Sequence, residues 1–395
     1  MKQLLILFLF FLIITDQSFA IDVGNGSDGT CDVSGAATTQ ITAARKSYQC
    51  TTLNIDGNLN VFRGDQAGAG GAILLIKVQG NVTIGVGNTI DLTGNVGANG
   101  NIVAIAAGGA AGAGGSAGGS STLTVGASGS GSGGGTGGLF GAFTGVSDSI
   151  GGGGGGGSYG SVGGTLPLNG DQNGSVIAAG TNGVVFGAEI NFDTSFVGGS
   201  GGAAGGSAFD LGNNRWFGSA GGGGGGAIRI LSGGNIVVDG SIISNGGAGG
   251  GTAAEVSSGG GGGGSGGAIW LQAAGTLTVS ATGVINATGG AIGINSSGFL
   301  GFGGDGGNGR VRLDDADGAV TNLGAVSPAA FSTTFVPTAI TSGTSELSRQ
   351  YSSSISCAKV LTDDQSPLNN LINVFLGIMI AMVVYLISDS KKGKI

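Results

Sequence analysis

The chain has 395 residues, 94 of them glycine and none histidine, with 14 basic and 22 acidic residues, a net charge of -8 and a mean hydropathy of +0.35. The absence of histidine excludes Ser-His-Asp and Cys-His catalytic pairs and imidazole ligands to a metal or haem. With only four prolines and no strict Gly-x-y period, a collagen helix is excluded too.

Between Lys77 and Arg215 there is no lysine or arginine, so no basic stripe exists to neutralise phosphates, and nucleic acid is not an expected partner. Intrinsic disorder fits poorly, because Ile, Val and Leu cluster in patterned runs.

Residues 1–20 read as a secretory signal: Lys2 gives the positive start, Leu4 to Ile14 an apolar run, and Ser18-Phe19-Ala20 a small-x-small cleavage site. An anchor helix is disfavoured, since eleven apolar residues reach only about 16 Å. Residues 21–50 are expected to cap the fold. There Cys31 and Cys50 precede the first repeat, and an oxidising exterior makes a disulfide between them natural.

Residues 51–322 carry a repeated pattern of three short alternating β-runs. Ala227-Ile228-Arg229-Ile230-Leu231, Asn235 to Gly240 and Ser241 to Gly247 make one copy. Ala268-Ile269-Trp270-Leu271, Thr276 to Val279 and Val284 to Gly290 make the next, with an earlier copy at Ala72 to Gly94, a partial one from Leu53 to Val61, and a degenerate one from Arg310. The starts at 227, 268 and 310 are 41 and 42 residues apart. Recurrence at a fixed interval, with period-two alternation inside each run, predicts an all-β parallel β-helix with long glycine-rich loop insertions, the main one at residues 95–226. An antiparallel sandwich would give the alternation without the recurring unit. Alternation further predicts that Ile228, Ile230, Ile236, Val238, Leu277, Val279 and Ile285 point inward, and that Arg229, Trp270 and Thr278 face solvent.

Runs such as Gly151 to Gly157, Gly221 to Gly226 and Gly259 to Gly264 have few side chains to bury and much backbone entropy to lose. They are either flexible loops or extended strands held by their own backbone hydrogen bonds. Their chance G-x-G-x-x-G matches precede strands rather than helices, so no cofactor is expected. Arg310, Arg312, Asp314, Asp315 and Asp317 form the densest charged group; capping of the last repeat by charged turn residues outweighs catalysis. Neither an enzyme activity nor a metal site is expected.

Residues 323–367, richer in Ser, Thr and Pro, read as a stalk. Residues 368–388, with the apolar run Leu371 to Ile387, read as a transmembrane helix, and residues 389–395, with Lys391, Lys392 and Lys394, as a cytoplasmic tail. Whether that helix is retained or cut as a sorting signal stays open. The expected protein is single-pass, with an extracellular body at the cell surface. Cys357 is left over, and either links two chains in self-association or remains a free thiol. Five Asn-x-Ser/Thr triplets, at Asn25, Asn81, Asn173, Asn286 and Asn295, would matter in a glycosylating host.

The repeated Gly-Gly-Ala-Ile and Ile-x-Val units, interleaved with glycine tracts between a signal and a terminal membrane helix, resemble the glycine-rich, β-helical adhesin-like surface proteins of prokaryotes. The resemblance covers residues 50 to 323, without the C-terminal barrel of autotransporter adhesins. It implies adhesion to cells, glycans or matrix, or service in an outer layer. Trp270, Trp216, Phe217, Tyr159 and Phe140 are the candidate contacts for a glycan or cell-surface protein, because aromatic rings among glycines stack on sugars; local packing is the alternative for each. A coat or filament subunit is the second functional expectation, and a polysaccharide-degrading enzyme the third.

Overall fold

The computed structural model describes residues 21–42, 47–62, 73–141, 151–164, 178–186, 196–209, 214–252, 258–294, 301–316, 318–332 and 340–341, all within one compact unit, Met1–Thr344. Strands β1 (Ile21–Asp22), β2 (Thr30–Thr42), β3 (Ser47–Cys50) and β4 (Thr52–Phe62) open the chain. A triplet follows: β5 (Leu74–Val78), β6 (Val82–Ile84) and β7 (Thr89–Asp91). A small antiparallel pair, β8 (Ala208–Phe209) and β9 (Arg215–Trp216), precedes three further triplets. These are β10 (Ala227–Ser232), β11 (Ile236–Val238) and β12 (Ser241–Ile243); β13 (Ala268–Ala273), β14 (Leu277–Val279) and β15 (Val284–Asn286); and β16 (Arg310–Asp315), β17 (Thr321–Asn322) and β18 (Ala325–Ser327). Strand β19 (Ile340–Thr341) pairs in parallel with β1.

The triplets stack in register. Ala227 lies beside Ala268, which lies beside Arg310; Ile236 sits between Val82 and Leu277, and Ile242 between Ile90 and Ile285. First strands form a five-stranded parallel sheet in the order β16-β13-β10-β5-β3. Second and third strands form the two arms of a larger parallel sheet, joined through β4, which pairs with both β6 and β7. The seven aliphatic residues expected inward are all fully buried, each gaining about 1.5–3 kcal/mol over exposure. The earlier copy is shifted by one residue from its apparent alignment: Leu74, not Ile73, lies beside Ile228. Strand β18 continues the sheet into the segment expected to be stalk, and β2 and β3 continue it into the expected cap.

The expectation of a parallel β-helix with glycine loop insertions is corrected. After its third strand the chain does not turn onto the next first strand; it leaves the sheets through one glycine-rich segment and returns through another, as in 244–252 and 259–267. The strands therefore form open parallel sheets instead of a closed solenoid.

Nor are the glycine tracts loops. In the segment 219–226, the amides of Ala220, Gly223 and Gly226 bond to carbonyls of Ala98, Asn95 and Leu92, those of Gly221 and Gly224 to Gly119 and Ser116, and those of Ser219, Gly222 and Gly225 to Gly259, Gly262 and Ser265. Every third residue addresses the same neighbour, the signature of a three-residue-per-turn polyproline II chain, which has no internal hydrogen bonds. Segments 109–112, 199–205 and 247–250 donate back to the same chain, so it has six neighbours, and buried backbone groups are satisfied laterally. Glycine is required by close approach: a Cβ on Gly221 would lie 2.0 Å from the Gly202 carbonyl oxygen, and one on Gly261 would lie 1.9 Å from that of Ala220.

Where a side chain is admitted it is small and takes over a backbone partner. Ser265 Oγ accepts from the Ser200 amide at 2.8 Å, and Ser200 Oγ from the Gly133 amide at 3.0 Å.

The cysteine expectation is met by a Cys31–Cys50 disulfide. The single-pass, cell-surface placement is corrected: among the described residues no helix is long and apolar enough to cross a membrane. The expected signal (residues 1–20), the expected span (368–388), the basic tail and Cys357 lie outside the described residues.

Candidate functional site

Segment 92–100 leaves the sheets after β7 and, at about 3.1 Å per residue, carries the chain roughly 28 Å before it turns at 101–105. Segments 115–121 and 133–138 end at the same level. The Ser121 amide bonds to the Ala106 carbonyl and the Gly126 amide to the Gly138 carbonyl, both at 2.9 Å, which sets turns 101–105, 122–125 and 139–141 side by side at one end of the bundle.

Two of these segments, 101–105 and 122–125, close on themselves. Asn101 Oδ1 accepts from the amides of Val103 and Ala104, both at 2.8 Å. Thr122 Oγ1 donates to the Val125 carbonyl and accepts from the Thr124 amide at 3.1 Å. With the polar groups turned back on the loop, the aliphatic side chains point outward: Val103 is 84% exposed, and Ile102, Ile105, Leu123, Val125 and Leu139 lie between 41% and 54%. Scattered apolar exposure is ordinary, but a contiguous group marks an interaction surface.

Beside these turns sits the antiparallel β8–β9 pair. Ser207 donates its amide to the Thr124 carbonyl and its hydroxyl to the Thr122 carbonyl, and Phe217 donates its amide to the Asn101 carbonyl. Phe140 meets Phe209 edge-on at 5.6 Å between centroids, and the Arg215 guanidinium lies 4.9 Å over the Phe209 ring. Trp216, Phe217 and Phe140 are half-buried, so three of the five aromatic candidates gather at this end.

The other two do not. Trp270, expected to face solvent, is 2% exposed, because the outer face of the five-stranded sheet is itself covered. It is held between the guanidinium groups of Arg229 at 3.7 Å and Arg312 at 4.5 Å, its register neighbours on either side, with Phe196 edge-on at 5.8 Å. Its Nε1 donates to Asp314 Oδ2 at 2.8 Å, and Arg312 Nε meets the same oxygen at 2.8 Å. Tyr159 is fully buried against Phe186, and burial pushes its hydroxyl pKa well above the ordinary phenol value.

Asp314 and Asp315 also depart from expectation: they are the last residues of β16, both buried, and not residues of the following turn. Asp315 Oδ2 accepts from the Leu277 amide at 2.6 Å, tying the end of β16 to the start of β14. Asp317 lies outside the described residues.

A cavity of about 290 Å³ beside the disulfide, floored by Leu53, Ile55 and Ile76 and rimmed by Asp28, Asp32 and Tyr48, is the uncovered end of the core. Among the described residues no group of three or more His, Cys, Asp or Glu is placed to hold a metal ion.

Sequence reasoning missed Ile102, Val103, Ile105, Leu123, Val125 and Leu139. Their signal was present: Ile-Val-Ala-Ile and Leu-Thr-Val interrupt glycine tracts without belonging to any repeat. No family profile matches the chain, and no curated protein or solved structure is similar to it at a significant level.

Proposed function

We propose that the protein is an adhesive recognition protein whose contact surface is the turn cluster at the end of the glycine bundle. The observation that carries this reading is the exposed aliphatic group Ile102, Val103, Ile105, Leu123, Val125 and Leu139, the first five on turns whose polar side chains bond back to their own backbone. A laterally bonded bundle holds these turns firmly and at a distance from the sheets, a useful arrangement for presenting a surface. The reading keeps the expected adhesin-like role and moves its contacts from Trp270 and Tyr159 to the turns.

The filament alternative is weaker. At the β16 edge the Leu313 amide bonds to the Phe331 carbonyl and the Phe331 amide to the Val311 carbonyl, both at 3.1 Å, so the middle of this edge strand is already occupied, which disfavours end-on pairing there. The enzyme alternative loses its best group, since Arg312 and Asp314 are paired with each other and with Trp270.

The test is binding of the full chain to intact cells and to a panel of glycans and matrix proteins. Saturable binding lost in Val103→Asp combined with Leu123→Asp, and retained in the distant, exposed Val86→Asp, supports the reading; binding indifferent to the turn substitutions refutes it.

A further inference from the structure

We propose that Asn81 is a site of N-linked glycosylation, its side-chain nitrogen carrying an oligosaccharide, a modification that goes beyond the adhesive reading and does not depend on it. Of the five Asn-x-Ser/Thr triplets, those at Asn173 and Asn295 lie outside the described residues, and the fold treats the other three differently. Asn286 belongs to β15, which is paired on one side by β12 and on the other by β18. Its Oδ1 is buried, and the Thr288 hydroxyl of the same triplet is taken up by Asn245 Oδ1 at 3.1 Å. Asn25 is half-buried in a segment pinned to β3, its amide bonding to Gln49 Oε1 at 2.9 Å. Of the three, Asn81 is the exposed one.

The local geometry leaves its reacting atom available. Asn81 Oδ1 accepts from the Asn235 amide at 2.9 Å, and one repeat further on Asn235 Oδ1 accepts from the Thr276 amide at 2.9 Å. Because the partner is a backbone donor, the oxygen is the atom that faces it, and the nitrogen stands on the other side of the carboxamide, where it bonds to none of the described residues. The ladder accounts for an asparagine at this turn and uses only its oxygen. Val82 is fully buried while Thr83 is turned outward from β6, so the asparagine and the hydroxyl of the triplet share the outer face.

N-glycosylation preserves that ladder. In the transfer, Asn81 Nδ2 bonds to the anomeric carbon of a lipid-linked oligosaccharide diphosphate, the bond from that carbon to the phosphate oxygen breaks, the lipid diphosphate leaves, and one amide proton passes to a base of the transferase. The carbonyl oxygen is untouched and still accepts from Asn235. The Cys31–Cys50 disulfide suits a chain that folds in an oxidising compartment, the setting in which exposed Asn-x-Ser/Thr triplets are modified. Only 9% of the residues are charged, and a bulky, hydrated sugar adds solubility that such a surface lacks.

The experiment is glycopeptide mass spectrometry on the full chain and its variants isolated from the native cells. We expect an oligosaccharide on the Asn81 peptide, none on the Asn286 peptide, and complete loss of the Asn81 sugar in Asn81→Gln. Thr83→Val should lose it as completely while keeping Asn81 and its bond to Asn235, which separates loss of the acceptor triplet from a folding defect, and Thr83→Ser should retain it. An unmodified Asn81 peptide in the parent chain overturns the proposal. So does sugar that persists on this peptide in Thr83→Val, or sugar found on Asn286 in place of Asn81.

Discussion

The indole nitrogen of Trp270 and the carboxylate of Asp314 are joined at 2.8 Å across two adjacent strands, with the guanidinium of Arg312 on the same carboxylate oxygen. Trp270 stands 42 positions from Arg312 and 44 from Asp314, and the 41 to 42 residue repeat brings each repeat's outer-face residue beside its equivalent. The ladder Arg229, Trp270, Arg312 stacks two cations on one ring, each such contact contributing up to about 2 kcal/mol when desolvated.

Truncation of this ladder is therefore expected to unfold the protein readily. Trp270→Ala costs about 3–5 kcal/mol, and Asp314→Ala a similar amount, because it leaves Arg312 buried without its carboxylate. Trp270→Phe keeps the ring and loses the indole donor, and falls between these and the parent. Urea unfolding of the three variants checks the order.

Glycines of the bundle are expected to be intolerant of a single methyl group. Gly221→Ala and Gly261→Ala drive a Cβ into carbonyl oxygens at 2.0 and 1.9 Å and cost at least about 1–3 kcal/mol each by overpacking. Gly80→Ala meets its nearest atom at 3.0 Å and is expected to be milder. Melting temperatures that do not separate Gly80→Ala from the other two would contradict lateral backbone packing.

Reduction of Cys31–Cys50, which closes a loop across a separation of 19 residues, is expected to lower stability by about 3 kcal/mol in the chain-entropy account. Paired denaturant curves with and without reductant check this, and Cys31→Ser combined with Cys50→Ser should abolish the difference.

The buried hydroxyl of Tyr159 predicts an alkaline slope. Its native pKa is raised by burial, so above the ordinary phenol value of about 10 the unfolded chain releases this proton while the native one retains it. Stability attributable to Tyr159 is complete below that pH and declines as pH rises through it. Tyr159→Phe should lose less stability than the parent between neutral and strongly alkaline pH.

The sequence by itself determined the repeat, its 41 to 42 residue interval, the alternating core of Ile228, Ile230, Ile236, Val238, Leu277, Val279 and Ile285, and the Cys31–Cys50 pair, because period-two patterning and cysteine spacing are local signals. Only the tertiary structure decided the rest. Glycine has no side chain with which to announce a partner, so the six-neighbour packing of 219–226 is written in backbone bonds between segments far apart in the chain. The same alternation that correctly turned Ile228 inward placed Trp270 on the outer face, but alternation says nothing about what covers that face. Residues 23, 159, 196 and 331 do so, and they come from separate parts of the chain. The turns at Val103, Leu123 and Leu139 likewise become one surface only when the bundle sets their segments side by side.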